Sequence, residues 1–258
     1  MSVSRRGVIR DSLFYPLGIL VFGMFLVPML VRQAGGALGR ALGLPAGDPF
    51  VDFAVVTAAL IVQGGVVIGL TLRRVLSAAG LGLPPEALGL RAADVRREVQ
   101  VGLWWGVLLL AVNAAASRLS QLVFQRLMSE AEFQSQLEVE GARFAALVAG
   151  GLPAGLIALF AFSSVVVAPL AEELFFRGYV LGVLRARDPA NALFLSAFLF
   201  AFVHFYVIHF VPVFLIGLLL GALYERRGSL VAPIVAHGFS NLIVTASMVA
   251  SGLLQRGM

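Results

Sequence analysis

Long apolar runs alternate along the chain with short polar segments that hold most of its charge. A helix that crosses a bilayer needs roughly 20 mainly apolar residues, and the runs are close to this length. The pattern therefore predicts an all-α protein, a polytopic transmembrane helix bundle. Six of the predicted spans are Leu13–Val31, Phe50–Leu72, Val99–Ala116, Ala190–Ile208, Val211–Tyr224 and Leu230–Leu254.

The seventh run is a much longer apolar stretch, Phe144 to Leu184. It is interrupted by Glu172, Glu173 and Arg177, which follow Pro169. Proline kinks a membrane helix without ending it. The stretch therefore predicts one span near 151–171, bent at Pro169, that continues into a membrane-embedded segment ending near residue 185. This gives seven spans, and dividing the stretch in two gives eight as the alternative.

Composition supports the membrane assignment. Hydrophobic residues make up 60% of the chain and charged residues 13%, against about 25% charged residues in soluble domains. This excludes a soluble globular domain and a disordered chain. The absence of cysteine excludes disulfides, a thiolate metal site and a cysteine nucleophile. The net charge is +5, but the arginines are scattered between apolar runs, so we expect no nucleic-acid partner.

The arginines also predict the orientation of the chain. With the N-terminus in the cytoplasm, the cytoplasmic segments hold 12 arginines, Arg5 and Arg6 among them, and the opposite segments hold six, including Arg143. Cytoplasmic loops are enriched in basic residues, so we expect the N-terminus inside and the C-terminus outside. A lysine-free chain rich in Ala, Gly and Arg is typical of a GC-rich bacterium, which favours a bacterial inner membrane.

The chain is predicted to have two parts. Residues 1–85 are predicted to form N-terminal transmembrane helices, and residues 86–254 a membrane core within one integral domain. The boundary lies in the loop Gly80–Gly89, which contains Pro84 and Pro85.

The segment Leu119–Val139 mixes apolar residues with Gln and Glu, and it predicts one amphipathic helix on the outer membrane interface.

Polar side chains within predicted spans mark a candidate site. Such groups are costly in a membrane and are functional candidates by default. Glu173 and Arg177 are spaced i, i+4 and share one helical face, which leaves Glu172 about 100° away. The candidates all lie in the C-terminal half: Glu172, Glu173, Arg177, His204, His237 and Asn241.

These residue types suit hydrolysis of an amide bond. A carboxylate with one or two histidines activates water, either as a general base or as a metal-ligand set. A histidine with an Asn amide can donate hydrogen bonds to an oxyanion. Other protease designs are absent from the sequence: His-Glu-x-x-His, Gly-x-Ser-x-Gly and an intramembrane aspartate pair.

Three motifs resemble those of the CPBP family, the intramembrane proteases similar to type II CAAX prenyl proteases and bacteriocin-processing enzymes. The motifs are Glu172-Glu173-Leu-Phe-Phe-Arg177, Phe200-x-x-x-His204 and His237-x-x-x-Asn241. Pro169, Gly178 and the stretch Leu88–Arg91 are also similar to the family. The resemblance covers about residues 86–245. It implies a helical membrane bundle with a cavity that is open to the cytoplasmic side.

The resemblance also implies a role for each residue. Glu172 would polarise the attacking water, and His204 would assist as a second base or a ligand. His237 and Asn241 would stabilise the oxyanion, while Glu173 and Arg177 would order the site. A divalent metal such as zinc, held by Glu172, His204 and His237, is the alternative to a metal-free glutamate mechanism.

The predicted function is therefore an intramembrane endopeptidase that cleaves a membrane-associated protein or peptide near the cytoplasmic face. The alternatives are a non-proteolytic membrane scaffold and a small-solute transporter, although no inverted repeat is visible. A structural role is also open for part of the site, since the Glu173–Arg177 pair can hold a helix together. His209 is expected to be a bystander at a helix end.

Overall fold

The computed structural model describes residues 8–45 and 48–257, apart from the side chains at 142 and 143. These residues form helices and no strand, so the all-α prediction is confirmed. A short 3₁₀ turn, Pro85–Leu88, precedes the third helix. The helices are α1 Phe14–Ala41, α2 Pro49–Leu76, α3 Val95–Leu127, α4 Glu130–Leu137, α5 Arg143–Ala149, α6 Ala154–Arg185, α7 Ala192–Phe202, α8 Phe210–Arg227 and α9 Val231–Arg256.

Every predicted span coincides with a helix except Ala190–Ile208, which is helical only over Ala192–Phe202 and ends in the loop 203–209. Within the described ranges, five helices are long and apolar enough to cross a membrane: α1, α2, α3, α6 and α9. Helix α7 has only 11 residues, and α8 ends in three charged residues, Glu225 to Arg227. The chain is thus an integral, multi-pass membrane protein, and the count of seven or eight spans stays a prediction.

The long apolar stretch divides between two helices. Helix α5 ends before Gly151, whose φ of 93° favours glycine, and α6 begins directly after Pro153. Helix α6 then continues through Pro169 to Arg185, with π-helical turns at Ser163–Val167 and Glu173–Val180. Such turns are frequent at functional sites. One helix therefore carries both glutamates, as the sequence predicted.

The segment after the third predicted span differs from the prediction. Helix α3 continues to Leu127 and has 33 residues. A separate helix, α4, then begins after Ser129, whose side chain forms a capping box with Glu132. Reciprocal capping of this kind starts a new helix. The expected single amphipathic helix over 119–139 is therefore the end of one helix and the start of another.

Helix α9 is the central helix of the bundle, and glycines allow its neighbours to come close. A Cβ atom on Gly102 or Gly106 of α3 would lie 2.8 or 3.1 Å from backbone oxygens of α9. A Cβ on Gly238 of α9 would lie 2.7 Å from the Val165 carbonyl oxygen of α6. Small residues at membrane helix interfaces permit such backbone contact. This packing holds α3, α6 and α9 together around the polar residues.

Gly102→Ala is expected to destabilise the protein, because the new methyl group would overlap Val235 and the Ala232 carbonyl oxygen of α9. Overpacking of this kind costs about 1–3 kcal/mol. Gly65→Ala is the matched control, since its Cβ would have no neighbour within 4 Å. Thermal unfolding of both variants in detergent measures the difference. Equal melting temperatures for the two variants would contradict the close packing of α3 on α9.

The two ends of the bundle differ in arginine content. The arginine-rich end comprises the starts of α1, α3 and α9, the ends of α2, α6 and α8, and the segments that join them. Contacts across it include Arg227 Nε to Glu98 at 3.0 Å and Leu230 N to the Gly89 carbonyl at 2.8 Å. Its described arginines are Arg10, Arg73, Arg74, Arg91, Arg96, Arg97, Arg185, Arg187, Arg226 and Arg227.

The opposite end comprises residues 128–153, the loop 203–209 and the C-terminal end of α9. The described arginines of this half are Arg32, Arg40, Arg118, Arg126 and Arg256. Arg5, Arg6 and the Arg143 side chain, which entered the predicted count, lie outside the described part of the structure. The loops at each end of the bundle are those predicted from the sequence to lie together on one side of the membrane. The side on which the cytoplasm lies stays a prediction.

Candidate active site

A buried ion pair anchors the site inside α6. Arg177 Nη1 donates to Glu173 Oε1 at 2.9 Å, and both side chains are almost fully buried. Arg177 also donates to the Gly217 carbonyl oxygen of α8 at 3.1 Å, and its guanidinium lies 4.3 Å from the ring centre of Phe200. The predicted i, i+4 pair therefore forms. It joins α6 to α7 and α8.

His237 lies beside both glutamates. Its Nδ1 atom is 2.9 Å from Glu173 Oε1, and its Nε2 atom is 3.9 Å from Glu172 Oε2. With its proton on Nδ1, His237 donates to Glu173. A carboxylate partner of this kind fixes the orientation of an imidazole ring. Glu173 therefore holds both Arg177 and His237, and it leaves Nε2 facing Glu172.

Glu172 has a different environment from its neighbour. Its side chain is 21% exposed and lines a cavity. Its buried Oε2 atom accepts no hydrogen bond from the described residues, and the same holds for Oε2 of Glu173, whose Oε1 is the paired atom. Buried polar atoms normally have partners, so one without a partner calls for an explanation. The predicted division between a paired and a free carboxylate agrees with this geometry.

His204 and Phe200 complete the wall contributed by α7. His204 lies just beyond the end of the helix, and its Nδ1 atom is 2.7 Å from the Phe200 carbonyl oxygen. A proton on Nδ1 then leaves Nε2 free as an acceptor. The Phe200 ring lies 4.9 Å from the His204 ring and 6.0 Å from the His237 ring. Phe200 thus packs between the two histidines and Arg177.

Asn241 lies one turn after His237 on α9, as its spacing predicted. Its Nδ2 atom donates to the Ser164 carbonyl oxygen of α6 at 2.8 Å. This bond joins α9 to the π-helical turn of α6 that precedes Glu172. Asn241 also lines the cavity. Its second amide hydrogen is not used in this bond, so it can still face a ligand.

A cavity of about 540 Å³ contains four of the six predicted site residues. Glu173 and Arg177 are packed behind its wall, where they are almost fully buried. The volume lies within the range typical of ligand sites. The predicted residues in its lining are Glu172, His204, His237 and Asn241, and further polar residues there are Asn113, Ser117, Gln121, Glu140, Tyr206, His209 and Ser240.

Glu140 forms a second polar cluster in the cavity wall. Its carboxylate accepts hydrogen bonds from the backbone N–H groups of Val207, Ile208 and His209 at 2.7–3.0 Å. It also contacts His209 Nδ1 at 2.7 Å. These donors precede the first turn of α8, where a negative charge is favourable. His209 lies at a helix end as predicted, but it also lines the cavity.

Glu140→Gln is expected to destabilise the loop 203–209 at neutral pH. Burial raises the pKa of the Glu140 carboxyl, but hydrogen bonds from Gln136, the Val207 and Ile208 amides and His209 outweigh burial and lower it overall. Its stabilising effect is therefore present above the ordinary carboxyl pKa and is lost as the pH falls through the lowered value.

The expected loss is about 1–3 kcal/mol at neutral pH and less in acid. Thermal unfolding of the variant and of wild type, repeated from neutral pH to below the ordinary carboxyl pKa, measures this loss of stability. Glu138→Gln is the control, because Glu138 is exposed and two residues away. A loss that does not change with pH would show that the Glu140 charge is not the cause.

The arrangement does not match a three-ligand metal centre. Among the residues the structure describes, no three His, Asp or Glu side chains are placed to hold one metal ion. His237 Nδ1 faces Glu173, and His204 Nδ1 faces a backbone carbonyl. These contacts leave the Nε2 atom of each ring free, as in histidines that bind a metal, but Glu172, His204 and His237 are not grouped as one ligand set. The chemistry proposed below uses protein groups alone.

A family model described as Type II CAAX prenyl endopeptidase Rce1-like matches residues 153–243. The matched segment contains all six predicted site residues. The match confirms the predicted resemblance to the CPBP-family intramembrane proteases over this part of the chain. A CPBP-family chain is expected to be a protease, so the match supports a hydrolase that acts on a peptide or protein in a membrane. No curated protein and no solved structure matches the chain.

Other residues of the cavity were missed at the sequence level. Glu140 lies in the π-helical turn Glu138–Ala142, and Tyr206 and His209 lie in the loop before α8. Only the folded chain brings them to the cavity. Asn113, Ser117 and Gln121 did carry a signal, because they recur at i, i+4 and i+8 along an otherwise apolar helix. That spacing places them on one face of α3. The prediction considered ionisable residues and passed over these neutral ones.

Proposed function

We propose that this protein is an intramembrane endopeptidase that hydrolyses a peptide bond of a membrane-associated protein or peptide with a water activated by Glu172. One observation carries the proposal. Glu172 Oε2 is buried, accepts no hydrogen bond from the described residues and lies 3.9 Å from His237 Nε2 in the cavity. One water can contact both atoms at about 2.8 Å.

Glu172 is the general base in this proposal. As the water oxygen attacks the carbonyl carbon, the water proton moves to Glu172 and negative charge develops on the carbonyl oxygen. The intermediate then collapses, the C–N bond breaks, and Glu172 gives its proton to the leaving nitrogen. Transfer of the proton by one positioned group in both directions is general acid–base catalysis.

The neighbouring residues would orient and stabilise this step. Glu173 fixes His237, and Arg177 compensates the charge of Glu173, so the two carboxylates do not share one environment. His237 is the second contact of the water. Asn241, whose second amide hydrogen is unused, lines the same cavity and is the proposed donor to the developing oxyanion, the type of interaction that often contributes most to catalysis. His204, whose Nε2 atom is free as an acceptor, is the proposed second base. The proposal thus gives His237 a contact with the water, whereas the family resemblance implied a contact with the oxyanion.

The test is a comparison of membrane-protein termini in cells that carry wild type or Glu172→Gln at equal expression. Mass spectrometry of N- and C-terminal peptides identifies ends that depend on the wild-type chain. We expect at least one defined new terminus with wild type only. The protein that carries this terminus is the substrate.

The opposite outcome would favour the non-proteolytic alternative. If the termini are the same in both strains, and Glu172→Gln restores a phenotype caused by deletion of the gene, Glu172 has no catalytic role. A scaffold function would then account for the phenotype. The folded state of the variant is checked by its melting temperature in detergent.

A further inference from the structure

The cavity is closed toward the arginine-rich end of the bundle. From Glu173 onward, α6 continues toward that end through side chains that are almost fully buried. Arg177 and Phe176 fill the space against Phe200, and Tyr179 contacts Asp11 and packs against Phe175. The α3 and α9 backbones also meet on this side, at Gly102 and Gly106. Residues from four helices thus separate Glu172 from the arginine-rich end.

Toward the opposite end, the same helices form the walls of the cavity. After Gly106, α3 contributes residues from Leu109 to Gln121, and α9 contributes residues from His237 to Met248. The wall then continues into segments that belong to that end, through Leu137, Glu140, Gly141, Tyr206 and His209. The cavity therefore extends from the two glutamates to the end of the bundle that is poor in arginine.

Charge indicates which side of the membrane this end faces. The arginine-rich end holds ten described arginines and the opposite half five, as named above. Basic residues are enriched on the cytoplasmic side of membrane proteins. The arginine-rich end is then cytoplasmic, and the cavity extends to the non-cytoplasmic face. This differs from the cytoplasmic access that the family resemblance implied.

The α3 wall of the cavity has a polar stripe, defined as Asn113, Ser117 and Gln121. Residues four apart on a helix are separated by about 6 Å along its axis. Alternate residues of an extended peptide are separated by about 6.6 Å. The three side chains can thus meet successive alternate peptide groups of an extended chain. Gln121 Nε2 also lies 3.3 Å from His209 Nε2, so the stripe reaches the second polar cluster.

We infer that the substrate enters the cavity from the non-cytoplasmic face and binds along the polar stripe as an extended peptide segment. The inference rests on the proposed peptidase function for the identity of the ligand. The direction of access rests only on the shape of the cavity and the distribution of arginine. The substrate class is then a peptide, or the end of a membrane protein, that is exposed outside the cytoplasm.

Cysteine labelling tests the direction of access without any cleavage. The chain has no cysteine, so each single substitution gives one reactive site. Ala131→Cys marks the arginine-poor end and Ala190→Cys the arginine-rich end, and both positions are exposed. Ser117→Cys marks the polar stripe. Each full-length variant is treated with a membrane-impermeant maleimide in intact cells and in inverted vesicles, and denatured samples give the full extent of labelling.

We expect Ala131→Cys and Ser117→Cys to react in intact cells and Ala190→Cys to react only in inverted vesicles. Reaction of Ser117→Cys from the cytoplasmic side, from both sides or from neither would overturn the inference. Reaction of Ala131→Cys only in inverted vesicles would overturn it as well. These results do not depend on protease activity, so a failure here is distinct from a failure of the proposed function.

Discussion

Glu172→Gln is expected to lower the rate of peptide-bond cleavage by about 10²–10⁴-fold, the usual contribution of general base catalysis. Glutamine has nearly the same size as glutamate, but its amide cannot accept the proton of the attacking water. Glu172 makes no ion pair with Arg177, so the fold should tolerate the change. The measurement is the single-turnover rate of the purified chain in lipid nanodiscs with the peptide identified from the changed termini.

Glu138→Gln is the matched control for this experiment, since it removes an exposed carboxylate and leaves the cavity unchanged. Its cleavage rate should equal that of wild type. A Glu172→Gln variant that retains the wild-type rate would show that another group activates the water. A variant that has lost both its rate and its melting transition would instead indicate a structural role for Glu172.

Arg177→Met is expected to have the largest effect on stability. Arg177 is buried and contacts Glu173, the Gly217 carbonyl oxygen and the Phe200 ring. Removal of one member of a buried ion pair leaves the other charge without compensation, which costs about 3–5 kcal/mol. Thermal unfolding in detergent measures this loss. Arg187→Met is the control, because Arg187 is exposed.

A double variant separates lost charge compensation from lost packing. Glu173→Gln combined with Arg177→Met removes both charges, so the double variant should be more stable than Arg177→Met alone. Neutral replacement of a whole buried pair is often tolerated where breaking it is not. If the double variant loses as much stability as Glu173→Gln and Arg177→Met lose together, the ion pair is not what stabilises this part of the bundle.

The sequence carried most of the information on the catalytic side of the cavity. Helical spacing placed Glu173 and Arg177 on one face, and the structure shows the bond between them. The same argument left Glu172 apart, and Glu172 does line the cavity. Both results follow from helix geometry, which spacing within one helix determines. The continuity of α6 through Pro169 was predictable for a similar reason.

Contacts between distant segments were not predictable from spacing. His237 was expected to act with Asn241, its neighbour on α9, but it contacts Glu173 on α6. Glu140 and His209 are separated along the chain and meet only because α4 ends close to the start of α8. The continuity of α3 to Leu127 was also missed, because the segment from Leu119 was predicted to be helical but separate from the third span.

The central claim is that Glu172 and His237 act together on one water. Its most direct test is the cleavage rate of Glu172→Gln, His237→Gln and the double variant, all under single-turnover conditions. Residues that act as one unit are strongly non-additive. We therefore predict that the double variant is no slower than the slower single variant. Rate losses that multiply, or a His237→Gln variant as fast as wild type, would contradict the claim.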